Sequence, residues 1–228
     1  GTADGLTATT TVQIGSQAVC QVVYTTTGSA TFKAPSNVTS VDVLLVGGGG
    51  AGRPGGYFTH YGDGGQGGQV AVKQVTDLTG VAVDLNVGTG GRAQNSGSAN
   101  SAGGQPSWIV NDGSYVAYGG YHGSYRQVPA FGGGTFESGT LSSDKNGVVG
   151  TAVPTVGLFA SWTGDRPAGL PAVFGGGGGG ATDGLGQDAS NGGGGNAGTS
   201  SVYNGQYAAQ NTGGGGGVGS SDGKFAWS

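Results

Sequence analysis

Two short stretches of this chain hold most of the side chains able to recognise another molecule. Tyr57, Phe58, His60 and Tyr61 make up one, and Tyr118, Tyr121, His122, Tyr125 and Arg126 the other. Tyrosine among glycine and serine, with a single arginine, is the composition of recognition loops. A rigid amphipathic ring gives a large contact area at little cost in conformational entropy. The same rings could instead cap exposed backbone at the ends of whatever they lie against, and both readings stay open.

Spacings that look reactive lack the elements they need. Residues 47–52, Gly-Gly-Gly-Gly-Ala-Gly, satisfy the dinucleotide pattern G-x-G-x-x-G by letter. That pattern requires a helix next, whose N-terminus meets the pyrophosphate, and Arg53-Pro54-Gly55-Gly56 cannot begin one with the required packing. Residues 219–223 match the serine-hydrolase elbow with Ser221 in the nucleophile's place. Too little chain follows for a helix, and both histidines, His60 and His122, lie upstream, against that fold's chain order. Those two histidines form no ligand-spaced pair and Cys20 has no second thiol, so zinc is not expected. Asp183 and Asp188 lack the repeat spacing of calcium β-rolls. The reading is of a protein that is not an enzyme, with no catalytic residue, metal or cofactor.

Charge narrows the partners. Eight Lys or Arg stand against twelve Asp or Glu, a net −4, all scattered, so nucleic acid is not expected. No apolar run approaches the roughly 18 residues of a membrane helix. No basic-then-apolar signal opens the chain, so membrane insertion is not expected either. The absence of an initial Met suggests a processed or trimmed product. Cys20, within Val19-Cys20-Gln21-Val22, reads as a buried strand residue.

The elements that must position these loops are strands and glycine tracts. With 57 Gly and 7 Pro the composition approaches that of disordered chains. Only 9% of residues are charged, however, and the 34% that are apolar gather into strand-like runs. Good helix formers are nearly missing, so the expected class is all-β. An N-terminal antiparallel sandwich-like part over residues 1–46 is expected to merge into a polyglycine II helix bundle over residues 47–228. Leu6, Ala8, Thr10, Val12 and Ile14 alternate with polar residues, and runs at 18–26, 30–33 and 38–46 follow turn signals. Residues 69–88 read as a hairpin about Asp77-Leu78-Thr79-Gly80, with Val81, Val83, Leu85 and Val87 on one face. Residues 108–110 and 115–118 flank Asn111-Asp112-Gly113, a tight-turn signal. Past Tyr121 the periodicity fades, and residues 140–174 read as ordered loops with short strands at most.

Glycine tracts recur at 47–52, 62–68, 132–134, 175–180, 192–195 and 213–217. A polyproline II helix has three residues per turn and no internal hydrogen bonds, so its backbone groups point outward. The second tract shows that period, with Asp63, Gln66 and Gln69 falling on one edge. Ala51, Pro54 and Tyr57 do the same in the first. Ordering glycine costs about 0.5–1 kcal/mol per residue, so a lone tract stays loose. Several tracts side by side can offset that cost through hydrogen bonds to one another.

Residues 31–52, an Ala34-Pro35-Ser36-Asn37 turn between two strands and then the first glycine run, resemble the glycine-rich domain common in phage tail proteins and bacterial surface proteins. Residues 81–91 look like that family's middle. The alternation of glycine segments with variable loops is similar to the polyglycine tips of T-even-like phage tail fibres, whose loops grip a host receptor. The resemblance implies an extracellular structural and adhesive component of a phage tail or virion fibre. Its partners would be copies of itself or other fibre proteins, and a host cell-surface protein or glycan. One alternative is a self-assembling filament subunit of a cell surface, in which residues 2–14, with Leu6, Ala8, Thr10, Val12 and Ile14, add to a neighbour's sheet edge. Another is ice or carbohydrate binding by the regular row Asp63, Gln66 and Gln69. Asn37-Val38-Thr39 is a glycosylation sequon.

Overall fold

Alternating apolar residues pair into strands through the first half of the chain, and glycine takes over wherever the alternation stops. The computed structural model describes residues 8–14, 17–52, 61–92, 103–110, 114–123, 125–126, 151–152, 173–178, 181–182, 185–186, 193–196, 207–210 and 212–217. Among the described residues there are strands and no helix, so the chain is all-β. β1 (Ala8–Ile14) and β2 (Gln17–Val23) form an antiparallel two-stranded sheet, with Ala8 opposite Val23. β3 (Gly28–Lys33), β4 (Ser40–Val46), the short β5 (Tyr61–Gly62), β6 (Val70–Thr76) and β7 (Ala82–Val87) follow. Then come β8 (Ser107–Ile109), β9 (Val116–Ala117), β10 (Tyr125–Arg126), β11 (Thr151–Ala152), β12 (Val173–Phe174), β13 (Ala181–Thr182) and β14 (Leu185–Gly186).

Two sheets share a core. β4 pairs with β6 in one layer, and β3, β7, β8 and β9, in that order, make the other. Leu45, Ala71 and Val75 from the first layer meet Leu85, Ile109 and Ala117 from the second. Ala34 and Leu78 join them from the connections. Each buried aliphatic side chain of Val or Leu size stabilises by about 1.5–3 kcal/mol. Strands on both sides of Val46 therefore contribute to one sandwich.

The hairpin expected over residues 69–88 does not form. β6 pairs with β4 and β7 with β3, so the turn between them crosses from one layer to the other. The cause is Leu78, which is 2% exposed and plugs the corner of the core. Its N–H donates to Thr39 O at 3.2 Å, and its carbonyl accepts from Val81 N–H at 2.9 Å. Gly80, third residue of that turn, has φ 66°, a conformation glycine adopts without strain. The β3–β4 connection turns the same way, with Val38 N–H bonded to Pro35 O at 3.0 Å. The β8–β9 pairing follows the expectation, with Trp108 opposite Val116.

The strand register runs on into the glycine. Val46 stands opposite Val70, and next along Gly47 N–H donates to Gln69 O at 2.9 Å and Gly50 N–H to Gln66 O at 2.8 Å. No residue slips, but the bonds now recur every third residue. Ser107 opposite Ala117 continues into Gly104 N–H bonded to Gly120 O at 2.8 Å. Leu85 opposite Ile109 continues into Gln105 N–H bonded to Thr89 O at 2.8 Å. Side chains hold packed sheets about 10 Å apart; once they end, the layers close and bond directly. Ser107 marks the junction: its buried hydroxyl donates to Val46 O at 2.6 Å and accepts from Gly88 N–H at 2.9 Å. Beyond it Gly48 N–H donates to Gln105 O at 3.0 Å and Gly120 N–H to Gly48 O at 2.8 Å, which joins the layers.

Residues 47–52 occupy the centre of this array, bonded to segments 63–69, 88–91, 103–105, 118–123 and 213–217. Segment 213–217 in turn bonds to 175–178 and 193–196. Only hydrogen fits between these backbones: a Cβ on Gly48 would fall on the carbonyl oxygen of Thr89, and one on Gly49 on that of Gly214. The tract expected at 132–134 lies outside the described residues. Away from the sandwich β10, β5, β13 and β14 form a further sheet, and β11 pairs with β12.

Candidate binding surface

Segment 118–123 leaves β9 and is gripped along its length by two glutamines. Gln69 N–H donates to Tyr118 O at 2.9 Å, while Tyr118 N–H donates to the Gln69 Oε1 at 3.0 Å. One turn on, Gln66 N–H donates to Tyr121 O at 2.9 Å, and Tyr121 N–H donates to the Gln66 Oε1 at 3.1 Å. Each glutamine thus satisfies both backbone groups of one tyrosine. The three-residue spacing of Gln66 and Gln69 matches that of Tyr118 and Tyr121, which is why both rungs form. The opposite edge of the segment is tied to the first tract by Gly120 N–H to Gly48 O at 2.8 Å and Gly123 N–H to Ala51 O at 2.9 Å.

Held in this way, the tyrosine side chains stand in solvent: Tyr118 is 53% exposed and Tyr121 71%. His122, next after Tyr121, is half-buried, with Nδ1 2.8 Å from Gly123 O, a carbonyl that can only accept, so Nδ1 carries the hydrogen. β5 and β10 bring the two aromatic stretches together, Arg126 opposite Tyr61 and Tyr125 opposite Gly62. Tyr57, Phe58 and His60 lie outside the described residues, as does Leu6. Ala8, Thr10, Val12 and Ile14 lie on β1, whose backbone is paired along its length with β2. Cys20 stands opposite Thr11 in that pairing.

The row Asp63, Gln66 and Gln69 faces inward rather than outward. Asp63 is 0% and Gln66 7% exposed, and the 118–121 segment covers the row at Gln66 and Gln69, so this row is no open surface for ice or sugar. The period was legible in the sequence; the covering neighbour, some fifty residues away, was not. The glycine run after β4 offers no phosphate cradle, since the N–H groups of Gly47, Gly48 and Gly50 already donate to protein carbonyls. Tyr207, 61% exposed, was not singled out by the sequence reading. Burial pushes the Tyr24 phenol above its ordinary value of 10.0, and its hydroxyl donates to Thr31 O at 3.4 Å. Among the described residues no group of His, Cys, Asp or Glu gathers to hold a metal ion.

Fold and surface together define an all-β scaffold in which glycine segments bond to one another and exposed tyrosines stand on clamped backbone. Residues 25–227 match the Glycine-rich domain family, and the chain belongs to it. The match begins between β2 and β3, leaving the β1–β2 hairpin outside it. Neither a curated protein nor a solved structure matches the chain.

Proposed function

We propose that the chain is a non-enzymatic structural and adhesive component of an extracellular assembly, a phage tail or virion fibre protein that touches the host cell surface through Tyr118 and Tyr121. The observation that carries this reading is the exposure of both rings, 53% and 71%, on tyrosines whose own N–H and C=O groups are bonded. A pre-ordered ring loses less entropy on binding than one on a loose loop. In this reading the glycine segments are polyglycine II helices, which the recurrence of inter-segment bonds at every third residue supports. A rise of 3.1 Å per residue then sets Tyr118 and Tyr121 about 9 Å apart along the axis. The partners are a host surface protein or glycan on one side and other fibre subunits on the other. Fluorescently labelled protein, tested by flow cytometry on a panel of bacteria, should bind at least one strain. The Tyr118→Ala/Tyr121→Ala variant should lose about tenfold or more in affinity there. Failure to bind any strain, or full binding by the variant, contradicts the reading.

A second reading is favoured by β1 and β2, which pair with each other and with no third strand among the described residues. A hairpin with open edges can add to a neighbour's sheet. In that case the chain is a subunit of a self-assembling cell-surface filament. Deleting residues 1–24 would then abolish filaments in negative-stain micrographs, and filaments that persist reject it.

A further inference from the structure

The outer face of the four-stranded sheet carries a feature unrelated to the tyrosine segment. Strand alternation sends Ser107 and Ile109 into the core, so Trp108 between them emerges on the opposite face. Cross-strand pairing sets Asn86 opposite Trp108, Ser29 opposite Asn86, and Thr31 opposite Asp84. Ser29, Ala30, Thr31, Asp84 and Trp108 line an open hollow of about 250 Å³. Its polar groups are partly fixed already. The Thr31 hydroxyl donates to Asp84 Oδ1 at 3.2 Å, leaving Oδ2 without a protein partner among the described residues. Asn86 Nδ2 donates to Pro106 O at 3.1 Å, which orients its amide beside the indole. No hydrogen bond ties the Ser29 hydroxyl to another described residue.

We propose that this hollow binds one neutral pyranose ring of a glycan. A pyranose has an apolar C–H face and a rim of hydroxyls, and the hollow offers the complement of each. The half-buried indole supplies a flat π-surface for the C–H face. The open Asp84 oxygen accepts a sugar hydroxyl in a charge-assisted bond, and the Ser29 hydroxyl can donate or accept. At about 250 Å³ the hollow falls below the usual range for drug-sized ligands and suits a single ring. Asp84 is its one charged lining residue and no Lys or Arg joins it, so the site discriminates against sialylated or phosphorylated sugars. This site and the tyrosine surface rest on different residues, and either can fail without the other.

Saturation-transfer NMR and titration calorimetry on the intact chain test it, with maltotriose, mannotriose, cellotriose and the N-acetylglucosamine trimer as neutral probes and N-acetylneuraminic acid, a single anionic ring, as the control. At least one neutral probe should bind, and N-acetylneuraminic acid should not. Trp108→Ala should weaken that binding about tenfold or more. Asp84→Asn, which keeps the shape and an acceptor toward Thr31, should weaken it several-fold with unchanged amide dispersion. Tyr118→Ala/Tyr121→Ala should leave it within about twofold. The proposal is overturned if no neutral probe binds, if binding survives both Trp108→Ala and Asp84→Asn, or if only the tyrosine variant loses it.

Discussion

Gly49 and Gly90 are chemically identical and differ in what lies beyond their α-carbons. A Cβ on Gly49 would fall on Gly214 O, backbone that cannot swing away, whereas at Gly90 the nearest atom is Gly49 O at 3.8 Å, an ordinary contact. Gly49→Ala must therefore push segments apart and break bonds on either side, at a cost of about 1–3 kcal/mol or more. A chain of this size loses roughly 2–4 °C of Tm per kcal/mol. Calorimetry should accordingly show Gly49→Ala melting several degrees lower and Gly90→Ala unchanged or slightly higher, since replacing a compatible glycine restricts the unfolded chain. Equal losses at both sites would mean that close approach is not what selects glycine. Some residue-level features had only a displaced sequence signal: Val110, β-branched, holds φ 55°, whereas the turn signal Asn111-Asp112-Gly113 marks the residues after it.

Elements show where sequence periodicity informs and where it stops. Alternation in residues 81–87 put Val81, Val83, Leu85 and Val87 on one face; the last three pack against the core, while Val81, ahead of β7, is 48% exposed. It could not say which strand lies alongside, because a strand facing a core reads the same whichever partner it has. The clue to the crossover was Leu78 itself, a large apolar residue in what passed for a hairpin loop. The three-residue rhythm of Asp63, Gln66 and Gln69 was equally plain, but rhythm identifies an edge without saying whether that edge is covered. Here it is, and the element's stability can be probed through it. Gln66→Ala would leave the part-buried N–H of Tyr121 without its acceptor, a loss of about 1 kcal/mol or more. Gln69, half-buried at the rim, should cost less when truncated, because water can replace its side chain at Tyr118. Denaturant titration of the two variants checks this order, and the reverse order would contradict the clamp.

At the scale of the whole molecule the notable feature is continuity, three strand pairings passing into glycine segments without a slip in register. A sandwich and a glycine array joined in this way share their boundary hydrogen bonds and should unfold together. Trp fluorescence of a Trp162→Phe/Trp227→Phe variant, in which Trp108 alone reports the sandwich, and far-UV circular dichroism should give coincident transitions. Two separated transitions would show that the glycine array is an appendage with its own stability. The family match over residues 25–227 follows the same continuity, taking in sandwich strands and glycine segments alike.

Amide hydrogen exchange tests the central claim most directly, because it reads backbone hydrogen bonds one by one where there are no side chains to report. Gly48, Gly50, Gly65, Gly68 and Gly216 all donate to neighbouring segments, at 2.8–3.0 Å. Their amides should exchange as slowly as those of β4 and β6, the paired strands that feed the array. Exchange at the rate of a free glycine chain throughout 47–52 and 63–68, with β4 and β6 still protected, would contradict the account.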